Sequence, residues 1–89
     1  MKTDQIILEV DKKLAKQMHL QVKKNKETSN INVSIVCLAF TQLGTKALST
    51  KQLKFAVNSL KSGTIKVKWG LNKYIVKVDP GVALLMSKL

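Results

Sequence analysis

The sequence contains no arginine: all sixteen of its basic residues are lysine. Arginine forms the planar two-toothed contact to guanine, whereas lysine is a flexible point charge suited to phosphate. A nucleic acid bound by this chain is therefore expected to be held mainly by its backbone. An AT-rich genome would enrich lysine over arginine for its own reasons, but the physical consequence is the same. Acids are scarce too. Asp4, Glu9, Asp11, Glu27 and Asp79 are the only five, and they leave a net charge of +11. Their scatter excludes a carboxylate pair for acid–base work, and no nucleophile set accompanies them. His19 is the only histidine and has no cluster of Cys, Asp or Glu beside it, so it reads as a surface residue and not as a metal ligand. The chain is read as a non-enzyme that needs no cofactor.

Cys37 is the lone cysteine, which rules out an internal disulfide and suits a reducing compartment. It reads as a buried, inert thiol. No hydrophobic run is long enough to span a bilayer and no secretory pattern is present, so a soluble, cytoplasmic protein is expected. One proline, four glycines and no repetitive segment leave no linker. Residues 1–89 form a single domain whose 45% apolar content supports a modest core. A charge of +11 exceeds what solubility needs and implies an anionic partner. Nucleic acid comes before an acidic membrane surface, and duplex DNA before RNA.

The apolar residues that are present concentrate where lysine is missing. No lysine falls between Lys26 and Lys46, and within that gap lies Ile31–Leu43, INVSIVCLAFTQL. Its apolar residues go most of the way round a helical wheel, the mark of a membrane span or of a core helix. Thirteen residues of helix reach only about 20 Å, which favours the core helix, while β-branched Val33, Ile35 and Val36 leave a strand open. Asn30, or alternatively Ser29, supplies its N-cap, and Gly44 can take a left-handed conformation at its end. Cys37 and Phe40 are expected inside.

Ahead of it, Gln5–Val10 alternates as a short strand with Ile6, Leu8 and Val10 on one face. Asp11 is placed to cap a helix starting at Lys12, with Leu14, Met18 and Val22 as its buried stripe. Residues 23–29 form a polar loop, and a break follows at Gly44-Thr45-Lys46. Ser49, with Gln52 three residues on, is a capping-box pattern that opens another helix. Leu53, Ala56, Val57 and Leu60 make its buried stripe and Gly63 its stop. Lys51, Lys54, Asn58 and Lys61 make its outer stripe, with Phe55 beside them at an exposed position. Asparagine can read adenine bidentately, and lysine can reach phosphate or guanine.

The strongest strand signal is Thr64–Trp69 and Lys73–Val78 around a turn at Leu71-Asn72, a β-hairpin. Trp69 should face Tyr74, Val67 face Val76, and Ile65 face Val78 on one apolar side. Trp69 and Tyr74 read as a core cross-strand pair before base-stacking platforms. The other side carries Lys66, Lys68, Lys73 and Lys77 with Ile75. Lys66 opposite Lys77 is a like-charge pair that a purely structural face would avoid. Lysines also guard sheet edges against aggregation, yet four on one face without an acid point to anion binding. Asp79-Pro80-Gly81 is a turn, or an N-cap with proline in the first helical turn, ahead of a short apolar tail whose Val82, Leu85, Met86 and Leu89 share a helical face. That tail and Phe55 are the candidates for a homodimer contact.

Three helices followed by a lysine-faced hairpin resemble a winged helix-turn-helix domain. The leading strand would join the hairpin in one sheet, as in small Cro-like phage repressors. The resemblance implies an α+β fold: a three-helix core, a C-terminal hairpin as wing and a short N-terminal strand. It also implies a recognition helix at Ser49–Lys61, a wing at Lys66–Lys77 and a role in transcription regulation or as an accessory DNA-binding factor. The turn from Gly44 to Ser49 is longer than that family uses, and its Ala-x-x-x-Gly spacing is absent. The N-terminal half resembles a ribbon-helix-helix repressor, on Ile6–Val10, Asp11 and Ser29-Asn30-Ile31-Asn32. That likeness would instead send Gln5, Ile7 and Glu9 of a dimer's ribbon into the major groove. A further expectation, from charge alone, is a factor that binds RNA or an acidic protein surface.

Overall fold

The computed structural model of the chain describes residues 5–44 and 48–89. Of the break at Gly44-Thr45-Lys46, Thr45 and Lys46 lie outside the described residues. The elements run β1 (Ile6–Asp11), α1 (Lys12–Gln21), α2 (Ile31–Thr41), α3 (Thr50–Ser62), β2 (Ile65–Trp69), β3 (Lys73–Val78) and α4 (Pro80–Lys88). The fold is α+β, with four helices and one antiparallel sheet of order β1-β3-β2.

Register follows the alternation. Ile6, Leu8 and Val10 sit across from Val78, Val76 and Tyr74, and Ile65 and Val67 face Val78 and Val76 from the other side. Those residues turn one apolar face to the helices. α2 lies against it, touching α1, α3 and all three strands. Val33, Ile35, Val36, Ala39 and Phe40 of α2 are buried, as expected of a helix apolar on nearly every side. Cys37 is only partly buried, although burial pushes its thiol up to about 11.

The caps match the residues that call for them. Asp11 accepts from the Leu14 amide at 3.1 Å, Asn30 from the Asn32 amide at 2.9 Å, and Asp79 from the Gly81 amide at 2.9 Å. In the Ser49–Gln52 box each side chain accepts from the other's backbone amide. Gln52 also donates to the Met86 carbonyl at 3.0 Å, which ties α4 to the start of α3. Gly63 ends α3 at φ +85°, where a side chain would be strained. Gln42 Nε2 donates to the outward-pointing carbonyl of Glu9 at 2.6 Å, so the free edge of β1 is capped there.

Five expectations about side chains need correction. Leu14 is 58% exposed while Ala15 is buried: α1 is rotated so that its small residue faces the interior. His19 is not a free surface residue, because its Nδ1 is hydrogen-bonded to the buried Ser34 hydroxyl at 2.9 Å. Phe55 is half-buried against the core instead of exposed, because its flank of α3 still meets the core. On α4 the inward residues are Val82, Ala83 and Met86, whereas Leu85 and Leu89 face outward with Leu84. Trp69 pairs with Tyr74 as expected, but Tyr74 is fully buried and Trp69 is 63% exposed. The hairpin carries Trp69 to its tip, where the helices leave it uncovered.

Candidate nucleic-acid interface

The helices cover one face of the sheet and leave the other open. Because side chains alternate, the open face is set by the same register. Across it run the rows Ile7–Lys77–Lys66 and Glu9–Ile75–Lys68, then Asp11 beside Lys73. Its described carboxylates are both engaged. Asp11 caps α1, and Glu9 Oε2 forms a 3.1 Å ion pair with Lys73 Nζ. Lys73 therefore separates from the other three expected lysines of the hairpin.

Lys66, Lys68 and Lys77 remain without a described acid among them. Lys68 lies diagonally across from Lys77, and Lys66 directly opposite. Close approach of Lys68, helped by some burial and by Lys66, holds the Lys77 amine below the ordinary lysine range. These are crowded like charges in a place where an anion would reduce the repulsion.

The second expected set sits on α3. Lys51, Lys54, Asn58 and Lys61 are exposed, as the helical spacing demands. Lys54, Asn58 and Lys61 line an open groove of about 620 Å³, closed on its far side by residues 26–33. Lys51 stands outside it. Lys26, Glu27, Ser29, Asn30 and Asn32 line the opposite wall, so one carboxylate shares the groove with the lysines, and Val33, Val57 and Leu60 supply the apolar surface. Sequence reasoning missed that wall, since nothing in the spacing shows which helix face the loop will approach. The available signal was the cluster Asn25, Thr28 and Asn30 in a loop too polar to pack.

That loop is held by its own side chains. The Asn25 carboxamide accepts from the Glu27 and Thr28 amides at 2.8 and 2.9 Å, and the buried Thr28 hydroxyl reaches the Lys23 carbonyl at 3.0 Å. Asn32 Oδ1 is shut off from solvent without a hydrogen-bond partner.

The two lysine surfaces meet at one corner. Lys66 Cε passes 3.9 Å from where a Cβ on Gly63 would stand, so its stem lies along the last turn of α3. From Lys61 to Lys66 the positive surface turns from helix to sheet without a described acid between them. Among the described residues no group of three or more His, Cys, Asp and Glu side chains could hold a metal ion. Nor is any described helix long and apolar enough to cross a membrane. Compared with protein-family models, curated proteins and solved structures, the chain matches none.

Proposed function

We propose that this chain is a nucleic-acid-binding protein, a winged-helix-like factor that grips duplex DNA mainly through lysine–phosphate contacts. It serves as a transcription regulator or accessory DNA-binding factor and performs no catalysis. The observation that carries the reading is the Lys66–Lys68–Lys77 cluster. Three ammonium groups crowd on an open sheet face whose described acids are already committed. Phosphate oxygens placed among them relieve the repulsion that depresses Lys77, and a strand of phosphates does so repeatedly along the face. The α3 stripe adds Lys51, Lys54 and Lys61 together with Asn58, the one side chain of the set able to recognise adenine. Phosphate contacts position the protein, and Asn58 reads sequence.

The test is titration of a labelled duplex at several salt concentrations. With roughly six phosphates neutralised, log K against log salt should fall with a slope of about −5. Binding that is absent at low salt, or indifferent to salt, would remove nucleic acid from the reading. The alternative in which RNA is the partner predicts the same slope sign, with single-stranded RNA preferred over the duplex.

A further inference from the structure

Trp69 is the only tryptophan of the chain, and it is 63% exposed at the end of a strand whose other inward residues pack in the core. Its position is built. The ring stands 5.4 Å from the buried Tyr74 ring at an interplanar angle of 69°, an edge-on contact that does not stack the two rings face to face. At that exposure at least one indole face stays open. On the same Tyr74 ring Lys12 Nζ also rests, 5.4 Å from its centroid.

The backbone beneath is equally constrained. The Gly70 amide donates to the Lys73 carbonyl at 3.0 Å, and a Cβ on Gly70 would come within 2.7 Å of that oxygen. The Lys12 amide donates to the Asn72 carbonyl at 3.2 Å and pins the tip to the start of α1. An aromatic ring is thus held open to solvent beside a fixed turn, on the sheet face opposite Lys68 and Lys73.

We infer that Trp69 is a stacking platform for an unpaired nucleobase whose neighbouring phosphates are held by Lys66 and Lys68 on the other face of the same edge strand. This rests on the nucleic-acid reading above and deepens it: the partner is nucleic acid with at least one unstacked base. Any base offers a π-face to an aromatic ring, so the contact tolerates every sequence. Lys66 and Lys68 lie on the other face of the same edge strand, so a strand held there by its phosphates reaches the indole by passing over the β2 edge with a base turned out. An apolar membrane anchor fits less well. The exposed apolar surface is one indole and Leu71, interrupted by Gly70 and bounded by Lys68, Asn72 and Lys73, with no continuous apolar face to bury. The exposed leucines of α4 lack that bracket of charge.

Its being the sole tryptophan makes Trp69 its own reporter. The full chain is titrated at low salt with three oligonucleotides of about 16 nucleotides or base pairs. One is single-stranded, one is a duplex with both ends closed by paired caps, and one is that closed duplex with an internal unpaired loop. Binding is read by anisotropy of a label on the oligonucleotide, and stacking by quenching of Trp69 emission.

All three oligonucleotides should bind, while quenching should appear with the single strand and the looped duplex and be absent with the closed duplex. Trp69→Ala should lose about 5- to 100-fold in affinity for those two, and at most about twofold for the closed duplex. Trp69→Phe should recover most of the loss, and an unchanged circular dichroism spectrum shows both variants folded. Binding to all three without quenching, or an equal loss on all three with Trp69→Ala, overturns the stacking role and leaves the nucleic-acid reading standing. Absence of binding to any of them overturns both. A blue shift of Trp69 with anionic phospholipid vesicles, and no response to any oligonucleotide, would show a membrane contact instead.

Discussion

Replacing Lys66 and Lys77 together by alanine separates a phosphate-binding surface from an ordinary solvated one. The two lie directly opposite on adjacent strands, and Lys68 presses on Lys77 from the diagonal. Each lysine that neutralises one phosphate contributes about 0.9 to the salt slope, so losing both should flatten it by about 2. Between 50 and 200 mM salt, a fourfold change, each such contact costs about half a log unit. Wild type should therefore lose about tenfold more affinity over that range than the double variant. The loss should be equal on specific and scrambled duplexes, because phosphates carry no sequence.

Stability should move the other way. A lysine whose amine is held below its ordinary value in the fold opposes folding while it is charged. That opposition fades as pH rises through its lowered value toward 10.5. Removing Lys77 should leave the thermal midpoint unchanged or higher at pH 7, and the difference from wild type should shrink as pH approaches 10.5. Salt-dependent titrations with both duplexes and melts across this pH range measure the two effects. A double variant with a wild-type salt slope would refute the phosphate role. If the segment from Gln5 to Glu9 were then found necessary for binding, the ribbon-helix-helix arrangement would replace the winged one.

Other expected outcomes concern sequence reading, core, turn and thiol. Asn58→Ala should cost about 1–3 kcal/mol on a preferred duplex and little on random DNA; equal losses on both would make Asn58 a mere neighbour of the lysines. Phe40, 1% exposed among the helices and the sheet, should cost about 3–5 kcal/mol when truncated to alanine, and an unchanged denaturant midpoint would place the core elsewhere. Gly70→Ala drives a Cβ to 2.7 Å from a backbone oxygen, so about 1–3 kcal/mol should be lost in thermal unfolding, with the tip displaced. Cys37, its thiol raised by burial from 9.0 to about 11, should alkylate slowly at pH 8 until the chain unfolds. Its contribution to stability is complete below pH 9.0 and is lost as pH rises through about 11, so a native thiol as fast as the unfolded one contradicts the burial.

How far residues alone reveal this molecule depends on what decides each feature. The order from β1 to β3, the caps at Asp11 and Asn30, the capping box and the hairpin register depend on local chemistry and on a period of two, and these were legible, whereas Asp79-Pro80-Gly81 left a turn and a fourth helix both open. The gap in lysines from Lys26 to Lys46 marked the buried helix as clearly as the apolar residues did. What tertiary geometry decides was not legible. Leu14 and Ala15 are adjacent on α1, and only the closeness of packing selects the smaller one for the interior. Leu85 and Leu89 have the same pattern as Met86, but α4 is short and meets its neighbours on one narrow stripe. Trp69 obeys its strand's alternation and still escapes burial, because alternation names a face and not how far along it the helices reach. At the candidate site, spacing grouped Lys54, Asn58 and Lys61, yet the wall opposite them came from a loop folded back by its own asparagine. Likewise, Lys73 looked like Lys66, Lys68 and Lys77 until β1 brought Glu9 alongside.

The two edges of the sheet differ in how an additional strand could join them. Along β1 the Glu9 carbonyl is already occupied by Gln42, so a strand added there would first have to displace that side chain. Along β2 no described residue outside the sheet hydrogen-bonds to the edge, but each newcomer of the same sequence would bring its own lysines beside Lys66 and Lys68. The sheet thus carries a lock on one side and an electrostatic toll on the other. Only the toll responds to solution conditions: it falls as salt shortens the reach of the charges, and it is lifted by a polyanion lying across both copies. Crowding of copies along a shared polyanion is therefore where strand-to-strand association of this protein would first become favourable, while the same concentration of free chain stays dispersed.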